Sequence, residues 1–250
     1  MARARPPAVA GSFYPADPAE LREQVSRLLA AAAAGPQPKA VIVPHAGYVY
    51  SGAVAASAFR RLEADRVVLL GPSHFFPLRG VALPGVQLFA TPLGEVPVES
   101  PPDIPAQPAA HAEEHSLEVE VPFLQQALRQ FTLVPLVVGD AAPEEVAAVI
   151  DRLWDGPRTV VVVSSDLSHY LPYQQAQLKD AATAREILAL GRLDSDHACG
   201  AVPVNGLLAA ARERGLRAEL LDLRNSGDTA GDKKRVVGYG AFAFYEEARA

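Results

Sequence analysis

The chain has 250 residues, 49% of them hydrophobic and 21% charged, which is enough apolar material for one large core or two small ones. Its 29 acidic against 23 basic residues leave a formal charge of −6, an unfavourable balance for a phosphate-backbone binder, so no nucleic-acid partner is expected. The single cysteine excludes an internal disulfide framework, and no stretch approaches the roughly 18 apolar residues of a membrane span.

The opening MARARPPAVAGSFYP carries two arginines with no continuous apolar segment behind them. No signal peptide is therefore expected, and a cytoplasmic location is the default. Asp17-Pro18-Ala19-Glu20 reads as a helix start, with Asp17 as N-cap and Glu20 at the capping-box position. Leu21, Val25, Leu28 and Leu29 then recur at helical spacing until Gly35-Pro36 stops the run. A strand near 40–43, a small-residue helix near 52–62 and a strand near 67–70 form a βαβ unit, which predicts parallel strands. Pro97, Pro101, Pro102, Pro105 and Pro108 crowd the next segment. That crowding marks a domain boundary or a surface excursion, and candidate site residues on both sides favour the excursion.

From Glu113 to about Arg129, Leu117, Val121, Leu124 and Leu128 make the apolar stripe of a helix. A strand near 132–138, a helix near 143–154 and a strand near 159–163 repeat the alternation, followed by helices near 174–190 and 203–214. The closing VVGYGAFAFY alternates as a strand that is expected to sit antiparallel or at an edge. Strands and helices alternating without an internal repeat predict one α/β domain over residues 1–250.

Three apolar strands each carry a histidine just past their ends. His45 follows Ala40–Val43, His74 follows Val67–Leu70, and His169 closes VVVVSSDLSHY, residues 160–170. Parallel strands point their carboxyl ends the same way, and ligands of open α/β sheets bind there, so the three imidazoles are expected to converge. Gly47, Gly52, Gly71 and Pro72 flank them, where close backbone approach and fixed turns are useful. Imidazoles held this way suit Fe(II), Cu or Zn. An anionic ligand is also needed, and three groups compete. Cys199 precedes a helix expected to open at Pro203, where a helix N-terminus lowers a thiol pKa. Asp166, three residues before His169, either ligates or orients an imidazole. Glu118 lies one turn after His115, and that pair belongs either to the site or to a solvated helix face.

Other groups are read more plainly. His197 is not expected to share a metal with Cys199, because side chains so close in sequence rarely reach one ion with sound geometry. His111, among prolines and acids, is expected in a loop, and Lys233-Lys234-Arg235 as a solvated turn. H-E-x-x-H, C-x-x-C, G-x-G-x-x-G, Walker A and G-x-S-x-G patterns are absent.

Seven blocks occur in order along the chain: AGSFYP (10–15), PHAGYVYSG (44–52), GPSH (71–74), EEHSLEVEVPFL (113–124), VVSSDLSHY (162–170), Cys199-Gly200 before a helix, and NSGDTAGDKKRVVGYGA (225–241). Together they resemble the Memo family, whose bacterial and archaeal members are often called AmmeMemoRadiSam system protein B. The resemblance implies a central mixed, largely parallel sheet flanked by helices, similar to class III extradiol ring-cleaving dioxygenases. It places His45, His74 and Cys199 at the metal positions and Asp166 and His169 at further pocket positions. Ring-cleaving enzymes use a carboxylate where this chain has Cys199; a softer thiolate shifts metal preference and redox potential, so ring cleavage is not carried over with the fold.

The resemblance further implies bound iron or copper. It implies association with a radical-SAM protein and an AMMECR1-type protein in bacteria, and roles in receptor signalling and motility in eukaryotic relatives. The leading expectation is a metal-dependent oxidoreductase acting on a small molecule. In it His169 would be the general acid or base, Asp166 would orient a site histidine, His115 would stand beside them, and Tyr48 and Tyr50 would line the pocket. The rivals are a non-catalytic module that recognises a peptide or partner protein, and a zinc hydrolase using His169 or Glu118.

Overall fold

The computed structural model describes residues 2–246. In chain order its elements are β1 (Ala4–Arg5), α1 (Pro18–Ala31), β2 (Ala40–Val43), α2 (Tyr48–Phe59), β3 (Arg66–Pro72), β4 (Val81–Ala82), β5 (Leu88–Thr91) and β6 (Gly94–Pro97). Then come α3 (Pro108–Ala112), α4 (His115–Glu118), α5 (Val121–Ala127), β7 (Thr132–Val138), α6 (Pro143–Leu153), β8 (Thr159–Ser164) and β9 (His169–Leu171). The chain continues through α7 (Tyr173–Leu188), α8 (Ala201–Glu213), β10 (Leu216–Asn225), α9 (Ser226–Thr229) and β11 (Val236–Glu246).

The continuous apolar runs form the parallel centre of the sheet. β2 pairs with β8, β8 with β3, and β3 with β7, all in parallel. Antiparallel strands complete it: β11 on β2, β10 on β11, and β4 on β7. The strand order is β10-β11-β2-β8-β3-β7-β4, with β9 added on β11, so the sheet is mixed with a parallel core as expected. Alternate residues of each strand enter opposite cores. Val41, Val43, Val67, Leu69 and Val162 face a layer that includes Leu21, Val25, Val54 and Phe123 from α1, α2 and α5. Ile42, Val68, Leu70, Val161 and Val163 face Val146, Ile150, Ala184, Leu207 and Leu208 from α6, α7 and α8. Burial on both faces is why these strands read as unbroken apolar runs.

The proline-rich stretch is an excursion, because β3 before it and β7 after it are neighbours in one sheet. Within the excursion β5 and β6 join β1 as a small three-stranded sheet. Asp17 caps α1 by accepting from the N–H groups of Ala19 and Glu20 at 2.9 Å, as its sequence predicts.

Two expectations need correction. The helix expected from 113 to 129 is two helices, α4 and α5, because Pro122 lies in the first turn of the second and cannot donate into a continuous helix. Helix α8 opens at Ala201 with Gly200 as its N-cap; Pro203 lies inside the first turn, where an N–H has no intrahelical partner anyway. The closing strand is antiparallel, one of its two expected placements, and lies inside the sheet because β10 covers its other side. β10 itself, LRAELLDLRN, is half-exposed and charged, so it lacks the apolar run that marks the other strands. No helix among the described residues is long and apolar enough to cross a membrane.

Candidate metal centre

The carboxyl ends of β2, β3 and β8 open onto one edge of the sheet, and β11 brings its first residues to the same edge because it runs antiparallel to β2. A cavity of about 770 Å³ lies there, lined by His45, His74, His115, Asp166, His169 and Cys199 together with Tyr50, Tyr170 and Arg235. All three strand-end histidines and the single thiol reach it. One ligand atom each from His45, His74 and Cys199 lies within 4.8 Å of the others.

Each imidazole is oriented from behind. The His45 ring is buried; its Nδ1 lies 2.7 Å from Ser164 Oγ at the end of β8, and its Nε2 lies 3.3 Å from Cys199 Sγ. The backbone N–H of His45 donates to Asp166 Oδ1 at 2.9 Å, so Asp166 orients this histidine through its main chain. His74 is gripped twice by the buried Glu114 carboxylate, at Nδ1 (2.9 Å) and at its backbone N–H (2.6 Å). That arrangement leaves His74 Nε2 as the nitrogen without a partner on this side of the ring, free to meet a ligand. Burial would raise the Glu114 pKa, but hydrogen bonds from His74 and Ser116 and the His74 charge outweigh it and hold the acid at about 2. A carboxylate behind a ligating imidazole fixes its tautomer and raises its basicity.

His115 belongs to the cluster rather than to a solvated face. Its ring stacks on His74 with centroids 4.8 Å apart and meets His45 edge-on at 5.3 Å. Burial, followed by the His115, His74 and His169 charges, holds His45 well below its ordinary value; burial also lowers His115. Neutral imidazoles are the form that binds metal. His169 stands at the mouth of the cavity with Nδ1 2.9 Å from the Leu167 carbonyl oxygen, so Nδ1 carries the proton and Nε2 is the free acceptor. Its neighbour Tyr170 has φ of 58°, an uncommon conformation for a non-glycine residue.

Several sequence expectations fail here. Burial, then the Asp166 charge, pushes the Cys199 thiol up to about 12, the reverse of the lowering expected from a helix N-terminus. A cation between the imidazoles would have to displace that proton. Glu118 is no ligand. It is fully buried and accepts from the Arg5 guanidinium, the Tyr14 hydroxyl and the N–H groups of Ala8 (2.7 Å) and Val9 (2.9 Å), so α4 turns it away from His115 towards the N-terminal segment. Tyr48 is also withdrawn, its hydroxyl donating to the Val119 carbonyl at 2.7 Å, whereas Tyr50 does line the cavity. His111 is buried in α3, not in a loop; its ring bonds the Ala82 carbonyl and burial lowers it to about 4. His197 stays outside the cavity beside Asp194 and Asp196, and Asp196 already holds Lys179 at 2.6 Å. Lys233, Lys234 and Arg235, by contrast, are exposed in a bend as expected, with Lys233 and Arg235 lying over the rings of Tyr173 and Tyr170.

Glu114 and Ser164 were missed in the sequence. Glu114 is the N-cap of α4 immediately before His115, and Ser164 is the first polar residue after the valine run of β8. In sequence the first lies within one expected helix and the second just past an expected strand, and neither place points to a distant histidine.

Two imidazole nitrogens and one sulfur form a borderline-to-soft donor set, so these residues fit Fe(II), Cu or Zn.

A sequence model of the family described as "Memo-like protein" matches residues 5–243. A "MEMO1 family protein" of Aquifex aeolicus is 35% identical over 263 residues, covering 95% of this chain and 97% of its own length. Proteins of the same description from Sulfolobus acidocaldarius and Archaeoglobus fulgidus are 36% and 37% identical, over 94% and 96% of this chain and 97% and 99% of their own.

Proposed function

Since the chain belongs to the Memo family, we propose that it is a metal-binding protein working as a non-haem iron- or copper-dependent oxidoreductase, similar in its site to extradiol dioxygenases. His45, His74 and Cys199 would hold the metal. The observation that carries this reading is the approach of their three ligand atoms to within 4.8 Å, although His45 and Cys199 are 154 positions apart in the chain, with both imidazoles already oriented by buried partners. Bound iron or copper would supply one-electron chemistry towards O₂ or a small organic substrate.

The chain's own groups have distinct tasks. His169, with Nδ1–H committed to Leu167, offers Nε2 as the base that takes a proton from a bound substrate and returns it. Its pKa is lowered by partial burial, so the imidazole is neutral and ready to accept at neutral pH. Asp166 holds the His45 main chain, and burial raises its own pKa to about 7, which suits it to exchange a proton near neutrality. His115, stacked on His74, packs that ring in place and adds a second neutral base to the wall.

The test is anaerobic titration of Fe(II) and Cu(I) into wild type and Cys199→Ala, with O₂ consumption measured on small phenolic substrates. A large loss of affinity in the variant supports the ligand set. Equal affinity removes Cys199 from it.

A second reading, a non-catalytic module that recognises a peptide or partner protein, rests on the exposed rings at the cavity mouth. Tyr50, Phe75 and Tyr170 are 39%, 59% and 61% exposed, with Arg235 5.0 Å from the centre of the Tyr170 ring. Turnover by the metal-loaded protein counts against it. A zinc hydrolase retains only His169 as its base, since Glu118 is committed elsewhere; hydrolysis that survives iron and copper depletion would favour it. Association with a radical-SAM protein and an AMMECR1-type protein follows from the family resemblance and is tested by co-purification.

A further inference from the structure

Glu120, between α4 and α5, is fully buried, and the metal site described above does not use it. Its Oε1 lies 2.8 Å from Ser164 Oγ, while Oε2 has no hydrogen-bond partner among the described residues. Ser164 Oγ is a three-way junction. It lies 2.6 Å from the Ser116 carbonyl oxygen, 2.7 Å from His45 Nδ1 and 2.8 Å from Glu120.

A hydroxyl has one proton to donate and two lone pairs that accept. The Ser116 carbonyl can only accept, so the Ser164 proton belongs there. Both lone pairs of Ser164 must then receive hydrogen bonds, one from Glu120 and one from His45. Glu120 can donate only as a carboxylic acid. A protonated Glu120 also removes the need for a buried cation beside it, and among the described residues it makes no hydrogen bond or ion pair to a cation. Burial favours the same state, raising Glu120 well above the ordinary carboxylate range. With Glu120 donating, the remaining lone pair of Ser164 faces a proton on His45 Nδ1. His45 Nε2 is thereby left bare on the side of Cys199 Sγ.

We propose that Glu120 is a positioning residue: as a hydrogen-bond donor to Ser164 it locks that hydroxyl and, through it, holds His45 in the Nδ1–H tautomer that presents Nε2 to the metal cluster. Its value for metal binding rests on the ligand reading above, but the tautomer itself is tested without any metal. Glu120→Gln keeps a donor of the same shape, Glu120→Leu removes it at similar volume, and Ser164→Ala removes the junction.

Long-range nitrogen–proton NMR of the metal-free protein reads the tautomer of His45 directly. The expectation is Nδ1–H for wild type and Glu120→Gln, and a mixed or inverted tautomer for Glu120→Leu and Ser164→Ala. Zn(II) affinity should fall about 10–100-fold in the last two and be retained in the Gln variant. Infrared difference spectra of wild type against Glu120→Gln should lose a protonated carboxyl stretch. An Nε2–H tautomer in wild type, an unchanged tautomer in both disrupted variants, or no lost carboxyl band overturns the proposal. Should Glu120→Leu fail to fold, Ser164→Ala and the infrared difference decide it. Tautomers that behave as expected in a protein that binds no metal would refute the metal reading and leave the positioning role standing.

Discussion

Replacing Arg5 by methionine removes the cation from the most deeply buried ion pair of the molecule, Arg5–Glu118, whose side chains are 4% and 0% exposed. Arg5 does more than neutralise Glu118. Its Nε donates to the His111 carbonyl (2.9 Å), its Nη2 to the Glu114 carbonyl (2.6 Å), and its guanidinium lies 4.7 Å from the centre of the Phe89 ring. Methionine keeps the apolar stem against Phe89 and deletes every donor. Glu118 is left a buried acid with only the Tyr14 hydroxyl and two backbone N–H groups for support.

Breaking a buried pair on one side costs about 3–5 kcal/mol, because the surviving charge cannot reach water. In a chain of this size each kcal/mol lowers Tm by about 2–4 °C, so the variant should melt roughly 6–20 °C below wild type. Urea unfolding followed by circular dichroism supplies the free energy. The double variant Arg5→Met/Glu118→Gln, which removes the orphan charge and keeps an acceptor, should be less destabilised than the two single losses added together. A shift under about 2 °C, or strict additivity in the cycle, would refute the reasoning and show that the pair contributes nothing net.

Glu114→Gln deletes the carboxylate behind His74 and should weaken Zn(II) or Fe(II) binding about 10–100-fold by titration calorimetry, with the fold intact by circular dichroism. Gly200→Ala would set a Cβ 2.7 Å from Ser165 Cβ and 2.9 Å from the Ser164 carbonyl oxygen, in the two residues whose hydroxyls lie beside Cys199 Sγ and His45 Nδ1. It should cost about 1–3 kcal/mol in urea unfolding and lower metal affinity by displacing Cys199. His111, lowered by burial from 6.5 to about 4, accepts a proton in the unfolded chain at a higher pH than in the folded one. Stability from this group is therefore undiminished above pH 6.5, declines as pH falls towards 4, and is flat below; at about 1.4 kcal/mol per pH unit the total is about 3 kcal/mol. His45 and His115 are also depressed and add to the same window, so the difference in unfolding free energy between wild type and His111→Gln isolates the contribution.

What the residues themselves determined was the alternation of elements and the edge of the sheet where chemistry would gather. Continuous valine and leucine runs can only be strands buried on both faces, and parallel strands send their carboxyl ends one way, so His45, His74 and His169 had to approach one another. Their meeting with Cys199 was not legible from the residues alone, which left it competing with Asp166 and Glu118; the family resemblance singled it out, and in the structure α8 starts on that edge.

The supporting groups were not legible, because a short-range pattern carries no information about a long-range partner. Glu114 read only as part of a helix expected from 113 to about 129, Glu118 as a ligand candidate, and Glu120 as nothing at all. Three acids in one short segment turn to His74, to Arg5 and to Ser164, each at least 40 positions away in sequence. The Cys199 thiol shows the same limit. Its place before a helix argued for a lowered pKa, yet burial and Asp166 win, and burial is a property of the packed whole. Periodicity records which side of an element is dry; only packing decides which distant charge a buried polar group must answer.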